Sequence, residues 1–395
     1  MTMRYYLLLI ITALAACNNA PSGNAHETVL SDTTRNASCV YLTNTEKGNP
    51  VISWVEDGGM YYAVSPDGGK TFAAPKRITT ASGIQPHPEN MPKIIFRPNG
   101  EVIAMYGLES NDPRNKYAGK VCYVRSMDGG ASWLPAQPLV TDTAGYDQRY
   151  FDMALLPSGE VAAIWLDNRK FHRQEGSTLY MATAGAAGFE KERPLVQTVC
   201  QCCRTALYTD GQGALHAAFR DIINDSIRDM VHIVSTDGGR SFTTPVRISA
   251  DNWMINGCPH TGPAMVKNSS GLHFAWFTMG GGEGVFYCQS PDNGITYSKR
   301  ENISALPTAK HPQLTALGNG DLALVWDEAV DTAANRIGLL HKSPAGETLS
   351  KRFLTEAGGY ANFPVLRAAG NGQVLVAYKK RIGERDVVCA QLVGL

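Results

Sequence analysis

The chain has 395 residues, 44% hydrophobic and 18% charged, enough apolar surface for one large domain or two ordinary ones. Lysine plus arginine and aspartate plus glutamate balance at 36 each, so no overall field draws in nucleic acid, and no such partner is expected. With 39 glycines and 21 prolines, the composition asks for many short turns rather than long helices.

The first stretch, MTMRYYLLLIITALAAC, reads as a targeting segment. Arg4 supplies a positive start, Tyr5 to Ala13 an apolar run, and Leu14-Ala15-Ala16-Cys17 a small-residue cleavage site. The apolar run is too short for a membrane span. Leu-Ala-Ala-Cys resembles the bacterial lipobox, which implies cleavage before Cys17 and a diacylglyceryl group on its thiol; the alternative is an ordinary secretory signal. Residues 1–17 are expected to be a lipoprotein signal peptide. Residues 18–36, polar and turn-rich, are expected to be a flexible tether, with the folded unit at 37–395. The expected product is an exported bacterial lipoprotein anchored in the outer membrane, on its periplasmic or surface face.

Beyond the tether, strand-like runs recur. Units start near Val40, Met91, Phe151, Cys203, Thr261, Pro312 and Phe363, at a period of about 50–60 residues. Each opens with two apolar runs around a glycine turn, as in DMALLPSGEVAAIWLD and PQLTALGNGDLALVWDE. A third run and an Asp-rich turn follow: SPDGGKTF (from Ser65), SMDGGASW (from Ser126), STDGGRSF (from Ser235) and SPDNGITY (from Ser290). ATAGAAGF (from Ala182) and SPAGETL (from Ser343) are decayed copies. Asp67, Asp128, Asp237 and Asp292 are suited to bonding turn amides, and the glycines to positive φ. Four strands at this period make a propeller blade. The fold class is all-β, a propeller with seven blades preferred. Residues around Glu27 to Asp32 would complete the last blade; six blades result if the first and last units merge.

The turns S-x-D-x-G-x-[ST]-[FWY] resemble the Asp-box (BNR) repeats of the sialidase superfamily, over nearly all of the chain after the leader. Connectivity puts the Asp boxes on the bottom face, and the residues before first strands and after second strands on the top rim. The resemblance implies a sugar-carboxylate clamp of arginines, an acid/base Asp and a Tyr nucleophile. Arg149, Asp152, Asp167, Arg169, Arg220 and Tyr360 are the candidates, with Arg204 and Arg381 as further cations. The sequence departs from the superfamily's R-I-P signature: Asn90-Met91-Pro92 and Asn362-Phe363-Pro364 carry Asn in the Arg position.

Eight cysteines remain after Cys17. Cys200, Cys202 and Cys203 crowd into VCQCCRT, and Cys258 and His260 open the next unit in NGCPHTGP. Three thiolates and an imidazole suit copper(I) or tetrahedral zinc. A disulfide, for example to Cys258, is the alternative in an oxidising compartment, and adjacent Cys202 and Cys203 would face opposite ways on a strand. Cys39 and His311 are further ligand candidates, whereas Cys122, Cys288 and Cys389 read as buried strand residues. The leading expectation is an anchored propeller with a metal-binding top face. The alternatives are an exo-acting glycoside hydrolase of sialidase type and a non-catalytic glycan- or protein-binding propeller with paired cysteines.

Overall fold

The computed structural model describes residues 27–110, 112–142, 145–169 and 176–395. Cys17 and the targeting segment lie outside the described residues. Within them the regular elements are strands, apart from one short 3-10 turn at Pro88–Asn90, and no helix is long and apolar enough to cross a membrane.

The strands form five four-stranded antiparallel sheets and one of eight. The sheet of eight divides into two fours, because its halves touch through the single pair Val199 and Asp221. The seven resulting units are numbered here by their first strands: Ala37–Asn44, Lys93–Phe96, Gln148–Leu155, Ala206–Thr209, Ala264–Asn268, Lys310–Ala316 and Ala361–Gly370. Each of these contacts the first strand of the next unit, and the seventh contacts the first. The circuit is closed around a central cavity of about 390 Å³, lined by residues from all seven. The fold is a β-propeller.

Burial explains the sequence pattern of each blade. Second strands lie between a neighbour on either side within the blade and adjacent blades above and below. Pro50–Glu56, Val161–Asp167 and Gly271–Thr278 are therefore buried at every position, and read as near-continuous apolar runs. The outer strand Thr348–Phe353 is exposed or half-exposed throughout. Apolar clusters sit between blades; one combines Val55 and Met60 of the first with Ile94 and Tyr106 of the second.

The last blade borrows its outer strand from the other end of the chain. Thr28 and Val29 pair with Ala390 and Cys389, Leu30 N–H donates to Val388 O at 2.8 Å, and Lys380 Nζ meets Glu27 at 2.6 Å. The folded unit thus begins by Glu27, and residues 27–36, expected in the tether, are part of it. The first and last units remain separate sheets.

The four Asp-rich turns are one structure repeated. The serine hydroxyl accepts the N–H of the glycine four residues on, the second of a pair except in SPDNGITY, at 2.7 Å for Ser65 and Gly69 and at 2.8 Å for Ser126 and Gly130, Ser235 and Gly239, and Ser290 and Gly294. Each Asp carboxylate accepts both the N–H and the hydroxyl of the Ser or Thr four residues on, as Asp128 does from Ser132 at 2.9 and 2.6 Å. These donors hold all four carboxyls below the usual range. The second glycine also seats the turn against the preceding blade. A Cβ on Gly130 would stand 2.5 Å from the Tyr62 hydroxyl, and one on Gly239 would stand 2.5 Å from Met181 Cε. The decayed copies keep this role: a Cβ would meet a Tyr hydroxyl at 2.2 Å on Gly188 and at 2.6 Å on Gly346.

Candidate functional site

At the end opposite the Asp boxes, the first strands begin irregularly. Blades one, three, six and seven share a bulge, and in each a non-glycine residue adopts positive φ: Cys39 (59°), Tyr150 (54°), His311 (52°) and Phe363 (52°). Such backbone costs about 1–3 kcal/mol per residue and persists where surroundings enforce it. His260, opening blade five, has φ of 50° as well.

Tyr150 and His260 meet His87, which precedes the 3-10 turn. The Tyr150 hydroxyl lies 3.5 Å from both His87 Nε2 and His260 Nδ1, and the two imidazole rings are 6.0 Å apart. Burial, then the Arg149 charge, lowers the His87 pKa, while burial raises that of Tyr150. Glu89 crosses from blade two to accept Gly262 N–H at 3.0 Å and meets Arg204 Nε at 3.6 Å. Below this crossing, the buried Lys93 donates to Phe151 O at 2.6 Å and pairs with Asp152 at 3.5 Å. His87 Nδ1, Glu89 Oε1 and Thr261 Oγ1 are buried without a hydrogen-bond partner.

The VCQCCRT segment forms a turn, not a strand, at residues 201–203. Strand alternation therefore does not separate Cys202 from Cys203, contrary to expectation. The Sγ atoms of Cys200, Cys202 and Cys203 lie within 4.8 Å of one another, with Cys200 Sγ 3.5 Å from Cys202 Sγ and 4.0 Å from Cys203 Sγ. All three residues are at most 4% exposed. The separations are far beyond a disulfide bond, and all eight described cysteines are free. Arg228 Nη1 donates to Cys200 Sγ at 3.4 Å, and the neighbouring Cys202 and Cys203 thiols, followed by Arg220, pull the Cys200 pKa down. Hydrogen bonding with Cys200 and Cys203 pushes the Cys202 pKa up. A buried set of three thiols at this spacing can hold a metal ion.

The other expected ligands stand elsewhere. Cys258 is exposed and outside the trio, and His260 belongs to the Tyr150 group. Cys39 is buried beside Ser38, and His311 bonds Asp327 at 2.8 Å and packs at a tilt against the Phe363 ring. Cys122, Cys288 and Cys389 are buried among apolar strands.

The expected carboxylate clamp is not assembled as one pocket among the described residues, because each arginine is already engaged. Arg149 pairs with Asp147, and Arg169 with Asp167 and Glu192. Arg220 is buried and donates to the carbonyls of Arg228 and Phe277, and Arg381 pairs with Asp386. Asp152 faces the channel, where it accepts Leu207 N–H at 2.8 Å. Asp167 is fully buried and lies 3.5 Å from the Trp165 indole N–H. Glu56 and Glu328 accept the indoles of Trp54 and Trp326 in the same i,i+2 arrangement, so this carboxylate is a recurring blade lock. Tyr360 sits at the blade-seven edge under Lys379 and Arg381. Sequence reading missed Tyr150, Lys93 and Arg228. A lone lysine in the apolar run KIIF was a visible signal for Lys93; nothing local marked Arg228, which meets the thiols only through sheet pairing.

Comparison with solved structures returns the same architecture. An ulvan lyase, described as a polysaccharide lyase bound to -[GlcA(1-4)Rha3S]-, superposes with a TM-score of 0.61 at 10% identity, over 93% of this chain and 96% of that one. A NanB sialidase variant from Streptococcus pneumoniae gives 0.52 at 10% identity, over 90% and 85%. A protein of unknown function from Dyadobacter fermentans gives 0.54 at 13% identity, over 93% and 97%. At these identities the likeness is one of fold. No curated protein matches the sequence. The profile of the BNR repeat-like domain matches residues 55–376, most of the propeller, and the chain belongs to that family.

Proposed function

We propose that this protein is an exported, lipid-anchored propeller that binds a soft metal ion through Cys200, Cys202 and Cys203 at its upper rim. The observation that carries this reading is the convergence of three buried sulfurs within 4.8 Å on one turn. Thiolates are the ligands of soft and borderline ions, and burial protects the site from exchange. Export and anchoring rest on the targeting segment that ends in Leu14-Ala15-Ala16-Cys17. The test is metal content by mass spectrometry on protein from a periplasmic expression, beside a thiol count under denaturing conditions. Near-stoichiometric copper or zinc with all eight thiols free supports the reading. No metal, with two of the clustered thiols missing from the count, replaces it with a disulfide staple.

A second reading is favoured by a separate observation. The buried Tyr150 hydroxyl, 3.5 Å from His87 and His260, positions the exposed His260 imidazole at the rim, where it can hydrogen-bond a bound molecule. A glycan held on that rim, in line with the sugars processed by the sialidase and the ulvan lyase, is its natural ligand class. Incubation with a synthetic sialoside and with uronate polysaccharides, comparing the protein with Tyr150→Phe, tests it; product released equally by both removes the rim assignment.

A further inference from the structure

We infer that the central channel binds a small planar oxyanion, which enters from the Asp-box end and is held by the Arg367 guanidinium. The site is separate from the metal reading above, because the thiols lie at the rim and this cavity lies below it.

The channel is bridged above and open below. Glu89 of blade two reaches across the ring to Gly262, which leads into blade five, and Tyr150 joins His87 to His260 over the same ring. Beneath these bridges the lining residues Lys93, Arg204, Thr205 and Ala264 are buried. Further along the first strands the lining is half-exposed, at Val266, Thr315, Ala316, Arg367 and Ala368. First strands run from the rim toward the Asp boxes. At the far end of the seventh, the Ala369 carbonyl lies 3.8 Å from where a Cβ on Gly68, in the first Asp box, would stand. Arg367 is two residues short of that end.

Charge singles out Arg367. Higher in the channel the cations are matched: Lys93 pairs with Asp152 at 3.5 Å, and Arg204 with Glu89 at 3.6 Å. Among the described residues Arg367 has no hydrogen bond, ion pair or ring contact. Of the residues outside that description only Glu175 is acidic, and Ser177, two positions on, pairs with Val199 at the rim end of its strand. An unmatched charge between low-dielectric walls draws in a counter-ion.

The surroundings narrow the class. Tyr41 and Tyr208 line the same cavity; burial raises both phenol pKa values, and the Arg367 charge opposes the rise. Both phenols therefore keep their protons at neutral pH and can donate to an anion. A guanidinium fork matches two oxygens of one planar group and has no such match with a spherical ion. One unmatched cation calls for one negative charge. The cavity of about 390 Å³ lies within the roughly 300–1,000 Å³ of small-molecule sites. Acetate-like organic acids, nitrate and bicarbonate share this chemistry.

The experiment takes the full chain and replaces chloride by acetate, nitrate or bicarbonate at constant ionic strength, reading binding by calorimetry and the unfolding midpoint. The expected result is one oxyanion per chain, weakened at least tenfold in Arg367→Gln and several-fold in Arg367→Lys, which keeps the charge and loses the fork. Arg240→Gln, which removes an exposed cation from an Asp-box turn, should leave affinity unchanged. Because Arg367 has no partner to lose, Arg367→Gln should keep its midpoint in chloride within a few degrees of the parent. Should it fail to fold, Arg367→Lys carries the comparison. Ala368→Leu, narrowing the lower mouth, should slow association several-fold in stopped-flow tyrosine emission. Binding of acetate alone assigns an organic acid, and binding of all three assigns an inorganic oxyanion as sufficient. No oxyanion displacing chloride, or equal losses in Arg367→Gln and Arg240→Gln, overturns the site. An association rate unchanged in Ala368→Leu overturns entry from the Asp-box end.

Discussion

At the lower end of the propeller, four turns repeat the same hydrogen bonds at nearly the same distances. At the upper end, equivalent positions carry Cys39, Tyr150, His311 and Phe363, four unlike residues on one strained backbone. The lower turns are local: each Asp reaches only to the residue four places on, and the glycine beside it needs only a neighbouring blade to lean on. The rim contacts join residues far apart in the chain, such as Glu89 with Gly262. Repetition marks what every blade must have, and irregularity marks what the ring needs once. Chemistry is therefore sought at the rim, while the turns carry stability.

If this division is right, changes at the two ends should have separable effects. The largest is expected at the thiols: Cys202→Ala should lower metal affinity at least 100-fold, measured by chelator competition, while the melting temperature of the metal-free protein moves by only a few degrees. Loss of folding instead would make the trio a packing element.

Next in size is Gly130→Ala at the opposite end. The added Cβ meets the Tyr62 hydroxyl at 2.5 Å in a residue at φ of +90°, so about 2–3 kcal/mol of destabilisation is expected in denaturant unfolding, with metal binding intact. Because Tyr62 Cζ would be 3.6 Å away, Tyr62→Phe should recover part of that loss. No recovery would show that strained φ, not the interblade contact, dominates.

A smaller effect separates the rim from its support. Burial pushes the Asp221 carboxyl up to about 6, against about 3.9 when unfolded, and its Oδ1 is unpartnered. The folded state then binds more protons than the unfolded state between those values, so this group makes stability fall as pH rises from about 4 to 6. Asp221→Asn should flatten that limb and stabilise the protein at pH 7 by about 1–2 kcal/mol in denaturant titrations.

The smallest effect belongs to a single turn. Asp128, depressed by the Ser132 hydroxyl and amide, contributes stability that is present above the unfolded value near pH 4 and is lost as pH falls through its lower folded value. Asp128→Ala should lower the melting temperature by about 2–4 °C at pH 7, and by less in strong acid, without touching the metal. An equal loss at all pH values would mean that the hydroxyl and glycine contacts, not the carboxylate, hold the turn.

How much of this was legible depends on the range of the interaction. The Asp boxes could be read because serine, aspartate, glycine and hydroxyl residue lie within one octapeptide, and because a β-strand alternates or fills with apolar residues according to its place in the blade. The borrowed strand near Glu27 is also visible, since the last unit lacks a fourth run, although the polar composition of residues 18–36 does not mark where the tether ends. The thiol trio was half legible. Its crowding stands out in the sequence, but strand alternation separates adjacent Cys202 and Cys203, and only the turn at 201–203 lets them converge. Asp167 looked like a catalytic acid because a polar residue after a second strand reaches the rim; its buried indole partner shows a lock shared with Glu56 and Glu328.

The amino-acid sequence by itself determined the all-β class, the repeat, the Asp-box turns and the place where soft ligands gather, because each follows from contacts between residues close in the chain. Only the tertiary structure decided that three thiols meet while Cys258 stays outside, that Arg228 and Arg220 flank them, and that Tyr150 stands between two histidines. Those contacts span blades or sheet partners, and they exist only once the ring has closed and brought the ends of distant strands to one rim.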